Sequence, residues 1–357
     1  MKLKILINAI ILSSKNTGLG VYTYNLLESI SPKLKDNNIE FDILVSNSEF
    51  LPLNCRSNAK IVVFKGFLQR NKILKKIDLS EYDLVWSTTQ HGNKKLKCHQ
   101  IITIHDLIPY FFPKGRIHQY VYYKFFLPKI LKDCDYVFTV SENTKNDISK
   151  IYNYDKSKIV NAYEAIKYQN NGEVKILDKY EHFSVTGIHY SYKNIQLVIE
   201  AFHKYEDLRK YKVFIIGNND CEYGKILSAL IEKYSLNECF IFTGFISNEE
   251  KNRIISTSIA SIYPSFYEGF GLPILEAMDL GVPVLSSNSS SLPEVGGDAS
   301  IYFNPNNVDE LYEKIKFVIN CNNREEIIKK GFLNLKRFSW DKSSQIILEK
   351  IMEFKSN

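Results

Sequence analysis

Nowhere in its 357 residues does the chain carry an apolar run approaching the roughly 20 residues that cross a bilayer, so it is not expected to span one. Its six cysteines (Cys55, Cys98, Cys134, Cys221, Cys239 and Cys321) include no Cys-x-x-Cys pair and no zinc-like spacing with histidine. Reduced thiols in a cytoplasmic protein are the simplest account. No signal peptide is expected ahead of the first strand-like run, and the sequence shows no internal repeat or low-complexity tract. What remains is an ordinary globular composition, 45% apolar and 24% charged, in a chain long enough for two domains. The charge is uneven: residues 1–160 hold 24 Lys and Arg against 14 Asp and Glu, a net +10, and the remainder holds 22 against 26, a net −4. A basic half suits nucleic acid, anionic lipid or a phosphorylated substrate, and composition does not choose among them.

Short apolar runs at 2–8, 41–46, 61–64, 84–87, 100–105 and 136–140 alternate with helical or irregular stretches, and a Gly18-Leu19-Gly20 turn leads into a helical face of Tyr22, Leu26, Leu27 and Ile30. After a polar segment at 168–179 the alternation restarts: strands at 183–186, 213–217 and 240–244, with helices at 194–205 and 223–234. Ser247-Asn248-Glu249-Glu250 reads as a capping box, and two helical patterns, 308–320 and 324–354, close the chain. This is an α/β pattern of two parallel-sheet domains. Such sheets bind ligands at the carboxyl ends of their strands, so two of them are expected to face each other across a loop-lined cleft.

One stretch, Ser265-Phe266-Tyr267-Glu268-Gly269-Phe270-Gly271-Leu272-Pro273-Ile274-Leu275-Glu276, sets two carboxylates eight positions apart around a glycine-flanked turn. It follows a strand-like run at 260–265, and Pro273 suits the first turn of a helix, which puts Glu268 on a strand-end loop and Glu276 in the helix. Gly269 and Gly271 free the backbone for left-handed angles or close ligand approach, and the helix start attracts an anion. A phosphate-bearing ligand fits there, with Glu276 in reach of sugar hydroxyls; the alternative is a strand-loop-helix with two solvated glutamates.

With these residues assembled, the chain resembles glycosyltransferase family 4, retaining enzymes that use sugar nucleotides and have the GT-B architecture of two Rossmann-like domains. The resemblance covers nearly the whole chain. It rests on the Glu-x7-Glu motif enclosing Gly-Phe-Gly-Leu-Pro, on Ala277-Met278-Asp279-Leu280-Gly281-Val282-Pro283-Val284 and on Leu292-Pro293-Glu294-Val295-Gly296-Gly297. Thr17-Gly18-Leu19-Gly20-Val21-Tyr22, His105-Asp106-Leu107-Ile108-Pro109, Val140-Ser141-Glu142 and Lys193-Asn194 support it. The resemblance implies that Glu276 binds the nucleotide ribose and Glu268 contacts the donor sugar. Gly269, Phe270, Gly271 and Leu272 would hold sugar and diphosphate through their backbone, and Lys193 would neutralise the leaving phosphate. Gly18 and Gly20 would let the first loop approach the diphosphate, His105 would hydrogen-bond the donor sugar, and Phe245 would belong to the strand end that cradles the base. It further implies an N-terminal acceptor domain at 1–167, a nucleotide-sugar domain at 168–335, and a C-terminal helix at 336–357 packed back on the first.

The expected activity is retaining transfer of a sugar from a nucleotide-sugar to a glycan or lipid-linked oligosaccharide acceptor in bacterial surface polysaccharide synthesis, without metal or other cofactor and without nucleic acid. The expected location is the cytoplasm, peripheral at the inner face of the cell membrane. There is one departure: the arginine that family members place near the lysine is absent from Gly187-Ile188-His189-Tyr190-Ser191-Tyr192-Lys193. His189 substitutes, or donor binding is weak, or the chain is a non-catalytic partner subunit; a sugar-nucleotide epimerase of similar architecture is a further alternative. Asp133-Cys134-Asp135 looks like a metal-holding Asp-x-Asp, but its place between a helix and a strand reads as a solvated helix end, and no metal is assigned to it. Gly18-x-Gly20 lacks the third glycine of a dinucleotide fingerprint. The aromatic and basic segment 116–132 is either a core helix or a surface that rests on anionic membrane and receives a lipid-linked acceptor.

Overall fold

The computed structural model describes residues 2–12, 17–63, 73–169 and 181–355. Phe64, expected to end a strand, and residues 170–179 of the polar segment lie outside them. Two compact units emerge, residues 1–164 with 338–357, and residues 165–337, against expected boundaries of 167/168 and 335/336.

The first unit holds a seven-stranded parallel sheet in the order β3-β2-β1-β4-β5-β6-β7. Its strands are β1 (Lys4–Asn8), β2 (Glu40–Val45), β3 (Ala59–Ile61), β4 (Leu84–Ser87), β5 (His99–Ile104), β6 (Tyr136–Thr139) and β7 (Ile159–Asn161). The second unit holds a six-stranded sheet in the order β10-β9-β8-β11-β12-β13, built from β8 (His182–Thr186), β9 (Lys212–Ile216), β10 (Phe240–Phe242), β11 (Ser261–Tyr263), β12 (Val284–Ser287) and β13 (Ser300–Phe303). Both follow the Rossmann order, which reverses direction between β1 and β4 and again between β8 and β11. The strands read as continuous apolar runs because helices cover both faces of each sheet: Leu84, Val85, Trp86 and Ser87 are all buried. In the second unit Phe183, Phe202, Val213, Ile262 and Phe303 anchor the core.

Three expectations need correction. Gly18-Leu19-Gly20 is not a turn but the first turn of helix Gly18–Asp36, capped by Thr17, whose Oγ1 accepts from the Gly20 N–H at 3.1 Å. Pro32 inside that helix cannot donate to the Glu28 carbonyl one turn back, and Asn54 Nδ2 donates to it instead at 2.9 Å. The single pattern at 324–354 is two helices, Arg324–Leu335 and Trp340–Met352, separated where Ser339 takes an extended conformation and caps the second through the Lys342 N–H. That second helix lies along Gly18–Asp36 within the first unit, with Ser344 bonded to Ser29 at 2.9 Å and Lys33 paired with Asp341 at 2.8 Å. Segment 116–132 is no uniform helix either: a π-helical turn, Tyr122–Phe126, joins Ile117–Val121 to Leu127–Leu131. The short strand β7 has no counterpart among the expected runs.

Candidate active site

In the second unit the carboxyl ends of β8 and β11 lie side by side at the reversal of strand order. The chain leaves β8 through Gly187, at φ +92°, and a 3₁₀ turn, Ser191–Lys193. At this positive φ glycine sits without strain, and a Cβ would stand 3.4 Å from Lys193 Cε, in ordinary contact with the lysine folded back over the turn. Asn194 follows in the left-handed region, fully covered, and its Nδ2 donates to the carbonyls of Pro264 (3.1 Å) and Pro305 (2.8 Å). The Tyr192 carbonyl accepts from the Phe266 N–H at 2.8 Å. These bonds tie the lysine turn to the loop after β11.

That loop carries Glu268. Lys193 Nζ pairs with Glu268 Oε1 at 2.7 Å, and Ser265 Oγ donates to the same oxygen at 2.6 Å. With 20% and 14% of the two side chains exposed, the pair is only partly screened by water and is stronger than a surface ion pair. The backbone is fastened as well: the Glu268 N–H donates to Ser290 Oγ at 2.8 Å, while Ser291 Oγ reaches the carbonyls of Glu268 (3.0 Å) and Phe270 (2.7 Å). Gly271, at φ +120°, opens helix Leu272–Asp279 with no side chain capping it, and a Cβ there would come within 3.0 Å of Leu292. An uncapped helix start beside an ammonium suits an anion.

Glu276 lies inside this helix but is not a lone solvated carboxylate. Its Oε2 pairs with Lys251 Nζ at 2.9 Å, from helix Asn248–Ser256. Elsewhere among the strand ends, Gly217 bridges Gly244 after β9 and β10, and Phe245, the next residue, is 84% exposed. Lys193, Glu268, Gly269, Phe270, Gly271, Leu272, Glu276 and Phe245 therefore all belong to strand-end loops or the helix they start.

Gly18, Gly20 and His105 belong to the first unit. His105, at the end of β5, is buried with both ring nitrogens engaged: Nε2 lies 3.0 Å from the Thr88 carbonyl and Nδ1 3.1 Å from Glu164 Oε1. A carbonyl only accepts, so Nε2 carries a hydrogen. The edge of the Tyr22 ring packs on His105 at 4.4 Å between centroids, and burial, helped by Glu164, raises the Tyr22 phenol above its usual range. Asp133 and Asp135 bond the protein itself: Asp133 accepts from the Lys95 N–H at 3.1 Å, and Asp135 accepts from the Gln100 N–H at 2.8 Å and pairs with His99 at 3.0 Å.

Sequence reasoning missed Lys251, Ser290, Glu164 and Thr88. Only Ser290 had a signal, lying two positions before the quoted Leu292-Pro293-Glu294 run; the others are joined to their partners by the fold alone.

Two family models tile the chain, Glycosyltransferase Family 4 over residues 18–166 and Glycosyl transferases group 1 over residues 170–333. The O-antigen chain mannosyltransferase RfbU of Salmonella typhimurium is 30% identical over 267 residues, 72% of this chain and 73% of the relative. The O-antigen chain mannosyltransferase B of Escherichia coli is 31% identical over 258 residues, 68% and 67% of the two chains. Among solved structures, Anabaena HepE in complex with UDP and glucose superposes with a TM-score of 0.72 at 15% identity, covering 98% of this chain and 100% of its own. Sucrose-phosphate synthase from Thermosynechococcus elongatus reaches a TM-score of 0.74 at 14% identity and 99% of both chains. These likenesses give the two parallel-sheet units the GT-B fold. With two matching family models and relatives of this similarity over most of their length, the chain belongs to glycosyltransferase family 4 and is a glycosyltransferase enzyme.

Proposed function

We propose that this enzyme transfers a mannosyl residue, with retention of configuration, from a nucleoside-diphosphate donor to a lipid-linked glycan of a bacterial surface polysaccharide. The mannosyltransferase names of its relatives support the sugar and the acceptor class, and UDP and glucose bound to a neighbour of the same fold support a nucleotide-sugar donor. The observation that carries the reading is the Lys193–Glu268 pair at the uncapped start of helix Leu272–Asp279. Cleaving the anomeric bond builds negative charge on the departing diphosphate, and a fixed ammonium beside a helix N-terminus stabilises it. Glu268, already hydrogen-bonded, contacts the donor sugar and does not act as a nucleophile; the incoming hydroxyl attacks from the leaving-group side. Glu276 holds the ribose, and the lysine and the helix start carry the charge without a metal.

The test incubates the protein with GDP-mannose, UDP-glucose and related donors, with a lipid-linked acceptor, and reads nucleotide release and the product's anomeric configuration by NMR. Transfer with retention, undiminished by EDTA, is expected. Donor binding without turnover would make the chain a non-catalytic partner subunit, interconversion of free donor would make it an epimerase, and a trapped glycosyl-Glu268 adduct would replace the mechanism.

The same acceptor reading gives segment 116–132 a role at the membrane. No helix of the described residues is long and apolar enough to cross a bilayer. Yet Phe111, Ile117, Val121, Phe125 and Phe126 are all exposed along a stretch that also carries Lys114, Arg116, Lys124, Lys129 and Lys132. Exposed aromatic and aliphatic side chains among lysines suit the headgroup boundary of an anionic leaflet. Phosphatidylglycerol liposomes are expected to sediment the protein at low salt, and changing Lys124, Lys129 and Lys132 to glutamate is expected to abolish this. Absence of wild-type sedimentation would remove the membrane from the proposal.

A further inference from the structure

We infer that Lys251 is a positioning residue for Glu276, setting how the enzyme reads the ribose of its donor; this rests on the reading that Glu276 holds the ribose. The lysine is no ordinary surface cation. It projects from helix Asn248–Ser256, whose start is fixed by Ser247 Oγ accepting from the Glu250 N–H at 3.1 Å. The nearest acidic neighbour in sequence does not compete for it, because the Glu250 carboxylate is held by Arg253 through Nε (2.8 Å) and Nη2 (2.7 Å). The Lys251 ammonium instead crosses to Glu276 Oε2 at 2.9 Å, with 21% of its side chain and 33% of the glutamate's exposed. Most surface ion pairs are fully wet and hold neither partner in place; this one is largely covered and links two helices.

The consequence is geometric. A carboxylate offers two oxygens, and the neighbouring hydroxyls of a ribose each donate one hydrogen. With Oε2 held by the ammonium, the Glu276 carboxylate cannot spin freely about its terminal bond, so Oε1 keeps a fixed direction in which to accept a hydroxyl. The ammonium has two further hydrogens, one of which a ribose oxygen can accept. Lys251 and Glu276 together thus present a donor and an acceptor to the diol, which neither does alone. Neither residue of this pair was joined to the other by any feature of the sequence.

Calorimetric titration of the full chain with UDP, GDP and their 2′-deoxy forms tests this. The wild type is expected to hold the ribonucleotide of its preferred base about tenfold tighter than the deoxy form, the effect of one charge-assisted hydrogen bond. Lys251→Met is expected to weaken the ribonucleotide about tenfold and bring the two forms close together, while Lys251→Arg keeps most of the preference. An unchanged preference in Lys251→Met overturns the inference, and so does an equal loss for both forms, which would mark a general attraction for phosphate. Glu276→Gln separates this from the reading beneath it. If that variant keeps the preference, or if none of the four nucleotides binds the wild type, Glu276 does not hold the ribose. If Glu276→Gln loses the preference and Lys251→Met keeps it, only the role of the lysine falls.

Discussion

Lys193→Ala is expected to lower kcat by about 10²- to 10³-fold at saturating donor, the scale of removing one preorganised group from a developing charge. The loss should fall on kcat more than on donor affinity, because the diphosphate carries its additional charge only as the anomeric bond breaks. Initial rates against donor concentration check it. The variant also leaves the Glu268 carboxylate with Ser265 Oγ as the one remaining partner of those described above, in a site where that side chain is 14% exposed. A stability cost of about 1–3 kcal/mol is therefore expected alongside the kinetic one. The two effects separate in the double variant Lys193→Ala/Glu268→Gln: a neutral amide no longer needs the ammonium, so the melting temperature should recover while turnover stays low. Wild-type turnover in Lys193→Ala would remove the ammonium from the mechanism. Recovery of both rate and stability in the double variant would mean that the lysine serves only to neutralise Glu268. The chain lacks the arginine that commonly accompanies this lysine, so no second Lys or Arg lies between Gly187 and Lys193 to blunt the effect, and only His189 could do so.

What could be read in advance was local. The strand ends, the loop position of Glu268, the first-turn place of Pro273 and the Ser247 cap follow from residues within a few positions of each other, where turn and capping chemistry acts. The Gly18 misreading was local too: glycine suits a turn and a helix start equally, and Thr17, which decides between them, carries its signal in a single hydroxyl. The break near Ser339 was hidden because the apolar periodicity runs through it without glycine or proline. The site pairings were illegible for a different reason. His105 meets Glu164 across 59 positions and Lys251 meets Glu276 across 25, distances at which only the order of the strands decides which side chains become neighbours. Even the Lys193–Glu268 contact, both members of which the resemblance singled out, needed the fold to become an ion pair rather than two separate roles.

Asn194, beside that lysine, should prove costlier to the fold than its size suggests. Asn194→Ala is expected to destabilise the protein by about 3 kcal/mol, read by differential scanning calorimetry of the full chain. Its amide nitrogen is the donor for two carbonyls, Pro264 after β11 and Pro305 after β13, so truncation strands acceptors on two loops at once. The backbone adds to the loss, since Asn194 sits at φ +54°, which asparagine tolerates and alanine does not without a cost of roughly 1 kcal/mol. Asn194→Gly separates the contributions: glycine accepts the left-handed angle but supplies no donor, so it should lose about 2 kcal/mol. If glycine restored full stability, the angle alone would be the requirement and the two hydrogen bonds would be incidental. If the bonds dominate, both variants should also loosen the turn that aims Lys193 at Glu268, and donor turnover should fall in each even at temperatures where the protein remains folded. The Lys193-Asn194 pair then divides its work between chemistry and architecture, the lysine acting on the diphosphate and the asparagine holding the β8, β11 and β13 ends in the register that the lysine needs.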